Sequence, residues 1–228
     1  MSNRKEFGEG ALFTISNYFW WFLAANFYFV ILNLPIVLLL MGLRTGIIIN
    51  PTIWFIALCC IPLGPSLTAL LGVMGKLVRE KDLNLTRDFF KAYKSSFKQS
   101  TLIWTIEVII IALLFVDARY FLLIKSKLVF VIFILILFIL LVVFYALSII
   151  SRFYLRTVDI LKLCFTFSKL YLKTFLLNFM TLIAFGYIFF KIPVISILFL
   201  MSFYCYALMY NNSNILKTIE KKIQPTID

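Results

Sequence analysis

Cys60-Ile61-Pro62-Leu63-Gly64-Pro65-Ser66-Leu67-Thr68-Ala69-Leu70 interrupts what otherwise reads as one membrane-spanning helix over 47–74. Two prolines and a glycine within four positions break a helix in water. In a bilayer they also free backbone groups where no water can reach them. Such a break survives only inside protein or beside a wet cavity. Two readings follow. In the first, Gly64, Thr68 and Gly72 recur every four residues and let another helix approach a kinked span closely. In the second, the first half-helix ends near Cys60, and a second half starts at Gly64 with Pro65 in its first helical position. Its free N–H groups, with Ser66 beside them, would then point at a polar ligand near the bilayer midplane.

The composition around this stretch is that of a polytopic membrane protein. Of 228 residues, 63% are hydrophobic and 14% charged, and the mean hydropathy is +1.03. Soluble domains carry nearer a quarter charged residues. The apolar runs predict an all-α membrane helix bundle, with 1–228 forming a single integral membrane domain. About six spans are expected, at 18–41, 47–74, 101–116, 128–150, 174–190 and 192–210. The last two are separated only by Lys191 and Pro193, which predicts a tight hairpin or a re-entrant pair. The polar start over 1–16 precedes a long apolar run, so the first run is read as a retained span. Cys59, Cys60, Cys164 and Cys205 form no C-x-x-C pair and behave as small apolar residues.

The net charge of +12 follows the membrane too. With the N-terminus inside, 17 of the 22 lysines and arginines fall in inside segments. The remaining five are Arg44, Arg119, Lys125, Lys127 and Lys191. This positive-inside bias predicts two cytoplasmic termini and makes orientation, not nucleic acid, the explanation of the charge. The inside segments hold two amphipathic stretches. In 86–99, Phe89, Phe90, Tyr93 and Phe97 share one arc of a helix, while Arg87, Lys91, Lys94 and Lys98 occupy the other. Thr86 and Asp88 suit its first turn as cap and dipole partner. Such a helix is either a surface anchor with its aromatics in the acyl boundary or a docking surface for a cytoplasmic partner. In 159–173, Lys162, Thr166, Lys169 and Lys173 oppose Leu163, Phe167 and Tyr171 in the same manner. Asp88, Lys91, Lys98 and Asp159, Lys162, Lys169 share a spacing that fits either an internal duplication or a common amphipathic constraint.

Glu107 is the one acidic residue well inside an expected span. A carboxyl group there is costly, so it should face the bundle or a cavity, as a structural polar contact or in a substrate or proton role. Asn26, Asn33 and Asn178 are its candidate hydrogen-bonding partners. Asn33-Leu34-Pro35 makes a second local break, in the first span. Tyr18, Trp20, Trp21 and Phe22 fit an interfacial aromatic belt. The chain has no histidine, which removes Ser-His and Cys-His pairs and histidine metal sets. No nucleotide-binding or zinc-protease motif occurs either. No enzymatic activity, catalytic residue, metal or other cofactor is therefore expected.

Three motifs in order carry a family resemblance: Ile61-Pro62-Leu63-Gly64-Pro65-Ser66-Leu67-Thr68-Ala69-Leu70-Leu71, the charged turn Lys76-Leu77-Val78-Arg79-Glu80-Lys81-Asp82, and Asp88-Phe89-Phe90-Lys91-Ala92-Tyr93-Lys94 continuing to Phe97-Lys98-Gln99. With Asn33-Leu34-Pro35, they resemble the YesL family of small bacterial membrane proteins of unknown function, over roughly the first half of the chain. The stretch 37–60 is longer than in shorter members. The resemblance implies a bacterial plasma-membrane protein that accompanies carbohydrate-utilisation systems with a binding-protein-dependent sugar importer. It supplies no ligand residues. The loop over 76–100 lacks the Glu-Ala-Ala…Gly pattern by which permeases engage their ATPase, so an ordinary permease subunit is not expected. The first expectation is an accessory membrane subunit with the permease or other importer subunits and the lipid bilayer as partners. The alternatives are a small self-contained transporter for a sugar or other polar solute, and an envelope factor without a transport role.

Overall fold

The computed structural model describes residues 11–153 and 155–223. The expected inside termini, with Arg4, Lys5 and Asp228, lie outside the described residues, as do the side chains of Phe167 and Lys169. The described residues form an all-α bundle: α1 (Ala11–Leu32), α2 (Leu34–Arg44), α3 (Ile53–Cys60), α4 (Leu63–Glu80), α5 (Leu85–Leu123), α6 (Leu128–Ile150), α7 (Thr157–Leu170), α8 (Leu172–Lys191) and α9 (Pro193–Ile223).

Helix α4 is the axis of the bundle, packed by α1, α5, α6 and α9. All its residues from Gly64 to Leu71 are buried, and Val73, Met74, Gly75 and Leu77 extend the buried face. Around it lie Val143–Ile150 of α6, and Tyr204, Cys205, Leu208, Met209 and Ile215 of α9. Between helices in lipid, close van der Waals contact does the work that hydrophobic burial does in water. Small residues make it possible: a Cβ on Gly75 would collide with Met209. Lys81, left-handed at φ 57°, ends α4 while its N–H bonds the Leu77 carbonyl.

The outer surface is apolar. Leu102, Ile106, Ile109, Ile110 and Leu113 of α5 are exposed, as are Phe130, Val131, Phe133 and Ile134 of α6. An apolar surface this continuous belongs against lipid. Ile53–Glu80, Leu85–Leu123 and Leu128–Ile150 are each long and apolar enough to cross a membrane, and a bent pair raises the number to four. The fifth expected span falls in α8, whose apolar part Lys173–Phe189 is shorter, and the sixth falls in the first two thirds of α9. Only Ile192 separates α8 from α9, and the two helices pack together.

The structure corrects four readings. The expected span over 18–41 is not one rod: α1 and α2 meet at 80°. The span expected at 47–74 starts at Ile53 and runs to Glu80, because Gly46 and Asn50 take positive φ in the turn before it. The surface helix expected over 86–99 does not lie apart from the next span; the two are one helix of 39 residues. At ~1.5 Å per residue it is about 58 Å long, against a hydrocarbon core of about 30 Å, so it projects well beyond the lipid. Finally, Thr86 is not the cap. Asn84 holds that position without a side-chain bond, and the Asp88 carboxylate accepts the Asn84 N–H instead, at 3.1 Å. Thr86 meets the Tyr28 hydroxyl at 2.8 Å.

Candidate functional site

The first break keeps the helix nearly continuous. Ile61 and Pro62 both hold right-handed helical angles, φ −56° and −64°, so α3 passes into α4 as a single span. Pro65 is at the third position of α4, not the first, and the N–H groups of Gly64 and Ser66, which a half-helix starting at Gly64 would offer a ligand, are occupied. Gly64 N–H bonds the Ile61 carbonyl and Ser66 N–H the Pro62 carbonyl, each at 3.4 Å, and the prolines have none to offer. The tightened turn leaves the Cys60 carbonyl without its usual helical donor, Gly64 N–H. Trp104 of α5 supplies the replacement: its indole Nε1–H donates to that oxygen at 2.7 Å. Gly64 makes room for it, since a Cβ there would collide with the Trp104 Cβ and ring. Thr68 donates to the Gly64 carbonyl at 2.9 Å, and Gly72 lies against Ala92 and Ser151. Gly64 and Gly72 thus bear on α5, with Gly72 also reaching the end of α6, while Thr68 turns its hydroxyl back onto its own helix.

Asn33 and Ser66 are brought together. Asn33 Nδ2 donates to Ser66 Oγ and to the Phe29 carbonyl, both at 2.7 Å, and Ser66 Oγ donates in turn to the Pro62 carbonyl at 2.8 Å. One asparagine therefore ties the second break to the first. Its own Oδ1 is buried without a partner. Glu107 is not part of this pair. It is 3% exposed, and neither carboxylate oxygen has a partner among the described residues. The three asparagines expected to serve it are engaged elsewhere: Asn33 as above, Asn26 by the Ser202 N–H, and Asn178 by Asn212. An isolated carboxyl group can hold a proton or one polar guest, and its cost in the membrane makes that possibility worth testing.

Sequence reasoning missed two features. Trp104 is given no role there, although a tryptophan one turn from Glu107 on the same helix face was the available signal. The second feature is an amide ladder. Asn178 donates to Asn212 at 2.8 Å, Asn211 donates to Asn178 at 3.1 Å, and Asn212 reaches Ser148 at 3.4 Å. It joins α8, α9 and α6. The final span was expected to stop at residue 210, which placed Asn211 and Asn212 outside it.

On the projecting part of α5, the aromatic arc divides. Phe89 is fully buried against Tyr28, and Tyr93 is half-buried, while Phe90 and Phe97 are exposed. Lys91, Lys94 and Lys98 are exposed along the other side. The helix is thus clamped to the bundle through Phe89, against the expectation that all four aromatics share the acyl boundary. Lys76 of α4 adds a second clamp, donating to Asp88 at 2.7 Å. No group of three or more His, Cys, Asp or Glu suited to a metal ion occurs among the described residues.

Residues 13–118 match the family model described as "Protein of unknown function, DUF624". The match takes in both breaks, Trp104, Glu107 and the whole projecting part of α5. No curated protein and no solved structure matches the chain.

Proposed function

Residues 13–118 match DUF624, the family that includes the YesL-like membrane proteins, and on that premise we propose a non-enzymatic accessory membrane subunit of a bacterial carbohydrate importer of the binding-protein-dependent, ATP-driven kind. It sits in the plasma membrane with both termini cytoplasmic. The observation that carries the reading is the projecting part of α5, held rigid by Phe89 and by Lys76–Asp88, with Phe90, Phe97, Lys91, Lys94 and Lys98 left facing outward. Exposed aromatic side chains such as Phe90 and Phe97 are enriched in the docking surfaces of protein partners. The packing at the first break supports the same choice, because the place a solute path would use is occupied by Trp104.

The test is affinity purification of the full-length protein from mild detergent. The expected result is a stoichiometric complex with importer subunits that is lost in the double variant Phe90→Ala, Phe97→Ala. Purification of the wild-type protein alone would overturn the reading. A reporter at Asp228 that is active only outside the cytoplasm would overturn the orientation.

A second reading, a small transporter for a sugar or other polar solute, rests on Glu107, whose two oxygens lack partners. Under that reading Glu107→Gln abolishes uptake by the purified protein in liposomes while its melting temperature stays within ~2 °C. Absence of uptake by the unmodified protein would remove it.

A further inference from the structure

Where α4, the start of α5 and the end of α6 meet, a cleft of about 190 Å³ is lined by Lys76, Arg79, Lys91 and Arg152, with Asp88 as its one acidic group. Two of the four cations are neutralised. Lys76 pairs with Asp88, and Arg152 with Glu220 of α9. Neither Arg79 nor Lys91 is in an ion pair among the described residues. Arg79 lies within electrostatic reach of Arg152, which opposes its charge, and of Glu80 and Glu220, which favour it without pairing with it. The fold holds both guanidinium groups there by burying the helix ends that carry them: Leu77 before Arg79, and Ser148, Ile149 and Ile150 before Arg152. Arg79 and Lys91 bring a guanidinium and an ammonium to one concavity, a donor set that suits the oxygens of a phosphate, with the Glu220-paired Arg152 beside them. A concave wall of low dielectric strengthens their joint field beyond that of the same charges on an open face.

We propose that this cleft is a binding site for a phosphate-bearing anion, held by Arg79 and Lys91 with Arg152 as the third cation. Its position at the basic end of the bundle opens it to a phospholipid headgroup at the membrane surface and to a phosphorylated solute in the cytoplasm. The chemistry of recognition is the same for both. The site shares Lys91 with the docking surface, whereas Phe90, Phe97, Lys94 and Lys98 do not line it.

Thermal unfolding of the purified full-length protein would test this in two arms at constant ionic strength. In detergent, inorganic pyrophosphate is titrated. In nanodiscs, phosphatidylcholine alone is compared with phosphatidylcholine containing one quarter phosphatidylglycerol. Anything that binds the folded state raises the melting temperature in proportion to ln(1 + [L]/Kd). The expected result is saturable stabilisation in at least one arm, with affinity reduced at least tenfold in Arg79→Gln and in Lys91→Gln. Lys94→Gln, which removes the same charge on the same helix outside the cleft, should retain it. Stabilisation by pyrophosphate assigns a soluble source, and stabilisation by phosphatidylglycerol alone assigns the headgroup. If Arg79→Gln melts early without ligand, Lys91→Gln carries the comparison. Absence of saturable stabilisation in both arms overturns the site. So does equal loss in Lys94→Gln and Lys91→Gln, which marks a diffuse surface field.

Discussion

The two breaks in the membrane-spanning helices reverse their apparent strength. Pro62-Leu63-Gly64-Pro65 carries two prolines, yet α3 and α4 continue as one span. Asn33-Leu34-Pro35 carries one, and there the chain turns by 80°. The difference lies in the residue at each joint. Pro62 keeps helical angles, φ −64° and ψ −17°, while Asn33 leaves them, φ −108° and ψ 24°. It lies also in what receives the freed backbone. At the first break a tryptophan on a neighbouring helix takes the orphan carbonyl, and a glycine admits it. At the second, the asparagine caps its own preceding turn through Phe29 and spans to Ser66. Proline content therefore does not decide whether a membrane helix bends. The disposition of the freed polar groups does.

The comparison can be broken most severely at Gly64. Leucine at Gly64 would run into the Trp104 ring, and overpacking of this kind costs roughly 1–3 kcal/mol, read as a lowered melting temperature in detergent. Gly186→Ala is the matched control, because a Cβ there meets nothing within 4 Å; it should be neutral or slightly stabilising. If both glycines tolerate substitution equally, the first joint is not a packed one. A smaller effect is expected from Trp104→Phe, which preserves most of the ring but leaves the Cys60 carbonyl without its donor. The expected loss is about 1–2 kcal/mol, with amide infrared or hydrogen exchange showing loosening near Cys60. The smallest loss of stability should come from Asn33→Ala, about 0.6 kcal/mol by the average of hydrogen bonds within membranes. Its larger signature is geometric: spin labels at the exposed positions Phe27 and Leu38 should report a broader distance distribution across the 80° bend. An unchanged distribution would assign the bend to Pro35.

The membrane class, the helical content and the hairpin before α9 were legible because each rests on a local property, apolar run length or proline spacing. The first break was legible as an event but not in its outcome. Whether Gly64 meets a ligand or an indole depends on the register of α5 against α4, and no periodicity encodes that register. The continuity of α5 was hidden for a related reason. The polar residues Lys94, Ser95, Ser96, Lys98, Gln99 and Ser100 resemble a boundary between a surface helix and a span. All of them tolerate a helix, however, and Ser96 and Ser100 donate to the carbonyls of Ala92 and Ser96 without interrupting it. Of the candidate residues, Asn33 and Ser66 meet, Gly64 lies under Trp104, and Glu107 stands apart. Glu107 drew attention as an acidic residue in a span, and its carboxyl group is what the fold leaves without a partner among the described residues.

The most direct test of the sealed first break is water access at Ser66, which is fully buried beside Pro65. In a protein whose four native cysteines are replaced by alanine, Ser66→Cys should resist a small water-soluble methanethiosulfonate, while Thr45→Cys, at an exposed turn, reacts. Reaction at Ser66→Cys in the protein with Trp104 intact, at a rate near that of Thr45→Cys, would show a wet cavity at the break and contradict the account.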